Sequence, residues 1–298
     1  MTHAEDVAGR LWPGRTIRVE PLTGGITNEN FRVDVNGETF VLRIGGKDTE
    51  LLGIDRATEH GASLVAAQFG VGPEVVDFVE PEGYLVTRFI EGAPVPPESM
   101  RTPHRIGQVA RLLRRVHDGP PIPGRFDSFR VVEDYLRIAE EHGVKEPAAY
   151  AWANGWAADI EATRRGSELR ACHNDLLNAN FIDDGSSLRV VDWEYAGMGD
   201  PFFDLANFSI NHELSQEQKR DLLEAYFGEP SAEQAASLEL MCFMSDFREA
   251  MWGVVQQGIS DLDVDFVAYA DEHFERLRRT SEAPAFREAF DAMAGRAP

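Results

Sequence analysis

The sequence predicts an α+β chain of two lobes, an N-terminal antiparallel β-sheet followed by a larger, mainly helical region. Three observations carry this prediction. Residues 1–90 contain short runs of alternating apolar and polar residues; Gly and Pro then cluster in Phe89-Ile90-Glu91-Gly92-Ala93-Pro94-Val95-Pro96-Pro97; beyond them apolar residues recur at helical spacing. The expected lobes are residues 1–90 and 91–298, and a chain of 298 residues suits two such bodies better than one.

In the first lobe, Phe31-Arg32-Val33-Asp34-Val35 alternates, Asn36-Gly37 is a two-residue hairpin signal, and Thr39-Phe40-Val41-Leu42-Arg43-Ile44 returns as the partner strand. Thr23-Gly24-Gly25-Ile26-Thr27-Asn28 reads as the turn before this hairpin. Arg43 is the one cation on the returning strand. The segment 55–69 reads as the lobe's single helix, opened by an Asp55 cap and closed by Gly70, with Glu59 in its early turns as the natural partner for Arg43. Strands at 74–78 and 84–89 complete the sheet.

Past the Gly and Pro cluster, 105–118 carries Ile106, Val109, Ala110, Leu113 and Val116 on one helical stripe, and His117 at its end is expected to cap or pack. Helices are also expected at 131–142 and 147–165, with Trp152 and Trp156 in the core. Asp200-Pro201 opens another, with Pro in its first turn. The apolar stretch 235–257 contains Phe243, Phe247 and Trp252.

With 51 acidic against 29 basic residues, a net charge of -22 argues against a nucleic-acid surface and for a cationic or neutral small substrate. Two cysteines, Cys172 and Cys242, are too few for a disulfide framework and suggest a reducing compartment. The N-terminus has no basic, apolar leader and no stretch reaches transmembrane length, so a soluble, cytoplasmic protein is expected.

The densest chemical signal is His173-Asn174-Asp175-Leu176-Leu177-Asn178-Ala179-Asn180, followed by Asp192-Trp193-Glu194. Between them, Phe181-Ile182 and Leu188-Arg189-Val190-Val191 flank the turn-like Asp183-Asp184-Gly185-Ser186-Ser187, which predicts a hairpin. Folding it brings Asn180 opposite Asp192, so their oxygens can share Mg²⁺, a hard cation that favours carboxylate, amide and phosphate oxygen. Asp175 is then placed to accept a hydroxyl proton and aim the nucleophile at a metal-bound triphosphate. His173 is expected to shape the loop by hydrogen bonding.

The H-x-D-x-x-x-x-N and D-W-E pair resembles the aminoglycoside phosphotransferase and choline kinase superfamily, rather than protein kinases with their H-R-D and D-F-G. Val191-Asp192-Trp193-Glu194-Tyr195-Ala196 and Asp200-Pro201-Phe202-Phe203-Asp204-Leu205-Ala206-Asn207 look most like its choline and ethanolamine kinase branch. The resemblance spans about residues 22–274. It implies a bilobal protein-kinase-like fold that uses ATP and Mg²⁺.

Residue by residue, the resemblance implies that Arg43 steadies phosphate with Glu59 as its partner, an Arg standing where other kinases carry Lys. Gly25, Thr27 and Asn28 would lie over the ATP phosphates, their backbone and short polar side chains supplying donors. Ile90, Glu91 and Gly92 would present backbone to adenine, with Leu42 as an apolar wall. Asn180 and Asp192 would hold metal, Glu194 a second metal or the substrate ammonium, and Asp204 would buttress the loop.

Ser245-Asp246-Phe247-Arg248-Glu249-Ala250-Met251-Trp252-Gly253-Val254-Val255-Gln256 resembles the helix that encloses trimethylammonium in choline kinases, with Trp252 and Tyr269 on cage positions and Glu249 replacing a tryptophan. Choline is therefore the favoured acceptor, with ethanolamine, an aminoglycoside or another amino sugar as alternatives. The intact Asp175, Asn180 and Asp192 argue against a non-catalytic nucleotide-binding module. Expected partners are a small amino-alcohol or amino-sugar substrate and, in a homodimer, a second copy of the chain; neither nucleic acid nor membrane insertion is expected.

Overall fold

An N-terminal helix, α1 (His3–Leu11), opened by a capping box between Thr2 and Glu5, precedes the sheet. The sheet comprises β1 (Ile17–Leu22), β2 (Asn28–Val35), β3 (Glu38–Gly45), β4 (Val75–Val79) and β5 (Tyr84–Arg88), with α2 (Arg56–Gln68) between β3 and β4. All pairings are antiparallel, in the order β1-β2-β3-β5-β4. Asn36 and Gly37 both take positive φ, 51° and 92°, as a tight two-residue hairpin demands. The computed structural model describes residues 2–22 and 27–295; Gly25, expected at the phosphates, lies outside them.

Two expectations for this lobe need correction. It holds α1 as well as α2, because a nine-residue helix needs to bury only Ala4, Val7 and Ala8 beneath the sheet, too short a stripe to stand out in the sequence. Leu42 is 0% exposed and packs with Val33, Val35, Phe40 and the α1 residues, so it cannot wall a nucleotide beside Arg43. Side chains alternate across a strand, and Leu42 and Arg43 therefore leave β3 on opposite faces.

The chain continues through β6 (Ala93–Pro94), α3 (Pro97–Met100), α4 (Pro103–His117), α5 (Ser128–Glu141), α6 (Tyr150–Thr163), β7 (Arg170–Cys172), β8 (Phe181–Asp183), β9 (Leu188–Val190) and β10 (Gly197–Gly199). It ends with α7 (Pro201–Asn211), α8 (Gln216–Phe227), α9 (Ala232–Ile259), α10 (Phe266–Glu282) and α11 (Pro284–Ala294). α9 is buried on every side over most of its 28 residues, which explains why its sequence reads as a continuous apolar run rather than a stripe. α5, α7, α10 and α11 pack around it. Trp152 and Trp156 are half-buried and meet Phe243, Phe286 and Phe290 edge-on. α2 sends Ala62 and Ala66 into this large core, which couples the position of Glu59 to the helical lobe. No helix among the described residues is long and apolar enough to cross a membrane.

Candidate active site

The loop after β7 is held by α7. Asp204, fully buried, accepts from the backbone N–H of His173 at 2.8 Å and of Asn174 at 2.7 Å, and from His117 Nε2 at 3.0 Å. Burial alone would raise its pKa, but the hydrogen bonds it accepts, that from His117 foremost, outweigh it and hold the carboxyl below its usual range. Tyr226 hydroxyl donates to His117 Nδ1 at 2.7 Å, so this histidine packs and also braces the loop through Asp204. Asn207 Oδ1 accepts from Leu176 N at 2.6 Å. Asn174 sits at φ 67°, a left-handed conformation that Asn tolerates.

His173 Nε2 donates to Val191 O at 3.0 Å, which leaves Nδ1 to accept from Asp175 N at 3.2 Å. Burial holds this imidazole neutral, as that pattern requires. Across the hairpin, Val191 N donates to Asn180 O at 3.0 Å, which sets Asn180 beside Asp192. Asn180 Nδ2 donates to Asp175 O at 2.8 Å and Oδ2 at 3.3 Å. Asp175, Asn180 and Asp192 thus converge on one corner. Burial pushes the Asp175 carboxyl up to about 7, with Arg248 opposing and Glu249 and Asp192 reinforcing the shift. An amide oxygen and a carboxylate from Asn180 and Asp192 form a hard donor set that suits Mg²⁺.

Two arginines join this corner to the sheet. Arg43 Nη1 donates to Glu59 Oε1 at 2.6 Å and Asp192 Oδ1 at 2.7 Å. Burial disfavours its charge, yet Asp192, Glu59 and Glu194 outweigh that and raise its pKa further. Arg56 Nη1 donates to Glu59 Oε2 at 2.7 Å and Glu194 Oε2 at 3.4 Å, while Nη2 reaches Asn28 Oδ1 at 2.9 Å and Thr49 Oγ1 at 3.0 Å. Asn28 Nδ2 in turn donates to Glu194 Oε2 at 2.7 Å. Burial and the charge of Asp192 push Glu194 up to about 7. Arg56 was missed in the sequence, although a cation following the Asp55 cap and three residues before Glu59 is a legible signal.

At the other end of the corner, Arg248 Nη1 donates to Glu249 Oε1 at 2.5 Å and Asp175 Oδ1 at 3.4 Å. Its guanidinium lies over the Tyr195 ring, 4.5 Å from the centroid. Burial raises the Glu249 pKa, but Arg248 and His273 outweigh it and keep the carboxyl below its usual range. Tyr269 hydroxyl donates to Glu249 Oε2 at 2.9 Å, Trp252 Nε1 donates to Tyr195 hydroxyl at 3.2 Å, and the Trp252 and Tyr269 rings meet edge-on at 5.5 Å. The three acceptor candidates therefore form one cluster that reaches Asp175 through Arg248. Arg248 and Tyr195 were not singled out in the sequence; an arginine inside a long apolar run was the available clue. In the connecting segment, Ile90 is half-buried, Glu91 is exposed, and Gly92 lies so close to Asp183 O that a Cβ there would come within 2.5 Å.

Residues 18–236 match the model of the phosphotransferase enzyme family. The LicA protein of Haemophilus influenzae is 29% identical over 216 residues, covering 68% of this chain and 61% of that protein, so the match spans under two thirds of the relative's length. Ethanolamine kinase 2 of Mus musculus is 24% identical over 89% of this chain and 76% of its own. The solved structure of a choline/ethanolamine kinase family protein from Mesorhizobium loti superposes with a TM-score of 0.84 at 33% identity, covering 99% of this chain and 100% of the other.

Proposed function

The chain belongs to the phosphotransferase enzyme family, in its choline/ethanolamine kinase branch, and on that footing we propose that it transfers the γ-phosphoryl group of ATP to the hydroxyl of a small amino alcohol. The convergence of Asp175, Asn180 and Asp192 is the observation that carries this reading. Asp175 accepts the hydroxyl proton as the oxygen bonds to the γ-phosphorus, and the bridging oxygen leaves with its electron pair on ADP. Asn180 and Asp192, with Glu194 beside them, would hold Mg²⁺. When bound, the ion would neutralise charge on the phosphate oxygens.

Arg43, held by Glu59, steadies phosphate; Thr27 and Asn28 approach it from the sheet, and the backbone of Ile90, Glu91 and Gly92 faces adenine. Glu249, Trp252 and Tyr269 bind the acceptor. Their aromatic faces suit the methylated nitrogen of choline, and the carboxylate suits the N–H donors of ethanolamine or an amino sugar. Acceptor-dependent ADP release with Mg-ATP tests the assignment, using choline, ethanolamine and a set of aminoglycosides, with Asp175→Ala as control. Turnover of an amino alcohol that disappears in the variant is expected. Substantial turnover in Asp175→Ala would overturn the role of Asp175, and silence with all of these acceptors would overturn the amino-alcohol and amino-sugar assignment.

A further inference from the structure

Arg248 is 2% exposed, yet only one of its guanidinium nitrogens is engaged by a hydrogen bond. Nη1 serves both Glu249 and Asp175. Nε and Nη2 are fully buried with no partner among the described residues. These two nitrogens share one edge of the guanidinium, the edge that receives a carboxylate side-on through two parallel hydrogen bonds. A buried donor left unpaired is costly, and here a whole bidentate edge stands unpaired next to Asp175, the residue proposed to activate the acceptor. A purely structural ion pair with Glu249 would need no such edge. The guanidinium also covers the Tyr195 face, so a trimethylammonium group seeking that ring meets a like charge already in place.

Resting on the phosphotransferase reading above, we infer that the acceptor carries a carboxylate as well as its ammonium and hydroxyl, making it a small hydroxy amino acid, and that Arg248 recognises that carboxylate through Nε and Nη2. Glu249 and Tyr269 then receive the ammonium, and Asp175 takes the hydroxyl proton. Because Asp175 and Glu249 already share Arg248 Nη1, three groups on a chain of a few carbons can reach all three partners. The edge is sealed from solvent in this state, so the packing around Nε and Nη2 opens as the acceptor enters while Nη1 keeps Asp175 and Glu249. The transfer itself is unchanged: the hydroxyl oxygen bonds to the γ-phosphorus, ADP leaves with the bond's electron pair, and the proton passes to Asp175.

The test uses acceptors that differ only by the carboxylate, L-serine against ethanolamine and L-homoserine against 3-amino-1-propanol, with choline and the aminoglycosides alongside, on the full chain with Mg-ATP. The amino acid of at least one pair is expected to exceed its partner about tenfold or more in kcat/KM, and Arg248→Gln to lower its turnover about 100-fold and abolish the preference. Arg248→Lys, which keeps charge without the edge, is expected to restore less than half of that preference on a logarithmic scale. If Arg248→Gln does not fold, the wild-type ratios decide alone. Amino alcohols or aminoglycosides turned over with no preference for the carboxylate-bearing partner would overturn the inference and leave the phosphotransfer reading standing. No turnover with any acceptor would overturn that reading, and the inference with it.

Discussion

Asp175 lies beside Arg248 and Asn180, where burial pushes its carboxyl up to about 7. A protonated carboxyl cannot take the hydroxyl proton, so kcat/KM for the acceptor is expected to rise with pH through about 7 and level off above it, as a pH-rate profile would show. Asp175→Ala and Asp192→Ala should each lower kcat by about three powers of ten or more in a steady-state assay, since positioning and electrostatics carry this chemistry. Arg56 acts differently, because its partners Glu59, Glu194 and Asn28 belong to the proposed phosphate and metal side of the site. It holds Glu59, Glu194, Asn28 and Thr49 together. Arg56→Ala leaves two buried carboxylates short of a partner, which should cost about 3 kcal/mol in urea unfolding and raise KM for Mg-ATP more than it lowers kcat.

The loop after β7, the β8–β9 hairpin and α7 behave as one element, tied by Asp204 and Asn207 on one side and by the contact of Val191 with Asn180 on the other. His212, just past the end of α7, packs against Phe208 and Phe181; its Nδ1 donates to Phe208 O at 2.9 Å, and burial pushes its pKa down to about 4. As pH falls below the ordinary histidine range, the unfolded chain takes up this proton first. The contribution of neutral His212 is therefore full above about 6.5 and is lost progressively down to about 4, by roughly 3 kcal/mol. Asp175 and Glu194, both pushed up to about 7, act in the opposite sense over part of this range. The readout is thus the stability difference between the wild type and His212→Phe, which should shift in favour of the variant between pH 7 and pH 5 in urea unfolding. A difference that stays constant would contradict the buried neutral state.

At the scale of the molecule, the proposed metal ligands sit in the helical lobe and the proposed phosphate ligand Arg43 in the sheet, with ion pairs joining the two. Mg-ATP should therefore stabilise the whole chain, by about 2.7 kcal/mol at 100 times its Kd, and chelation of Mg²⁺ or Asp192→Ala should remove most of that gain in a thermal melt. Much of this architecture was legible along the chain. The Asn36-Gly37 hairpin and the helical stripes are local patterns, set by backbone preference and short separations, and the order of a sheet followed by helices came from them; the kinase-like fold came from the family resemblance that the spacing from His173 to Glu194 carries. Strand alternation alone would have placed Leu42 and Arg43 on opposite faces. What the sequence by itself determined was the fold class, and it named the candidates for phosphotransfer chemistry. Only the tertiary structure decided that Arg56 meets Glu194 and Asn28, that His117 braces Asp204, and that Arg248 stands between Asp175 and Glu249 with one edge unpaired. Most of these partners are dozens of residues or more apart, and their meeting depends on how buried helices and strands pack, information that no local periodicity carries.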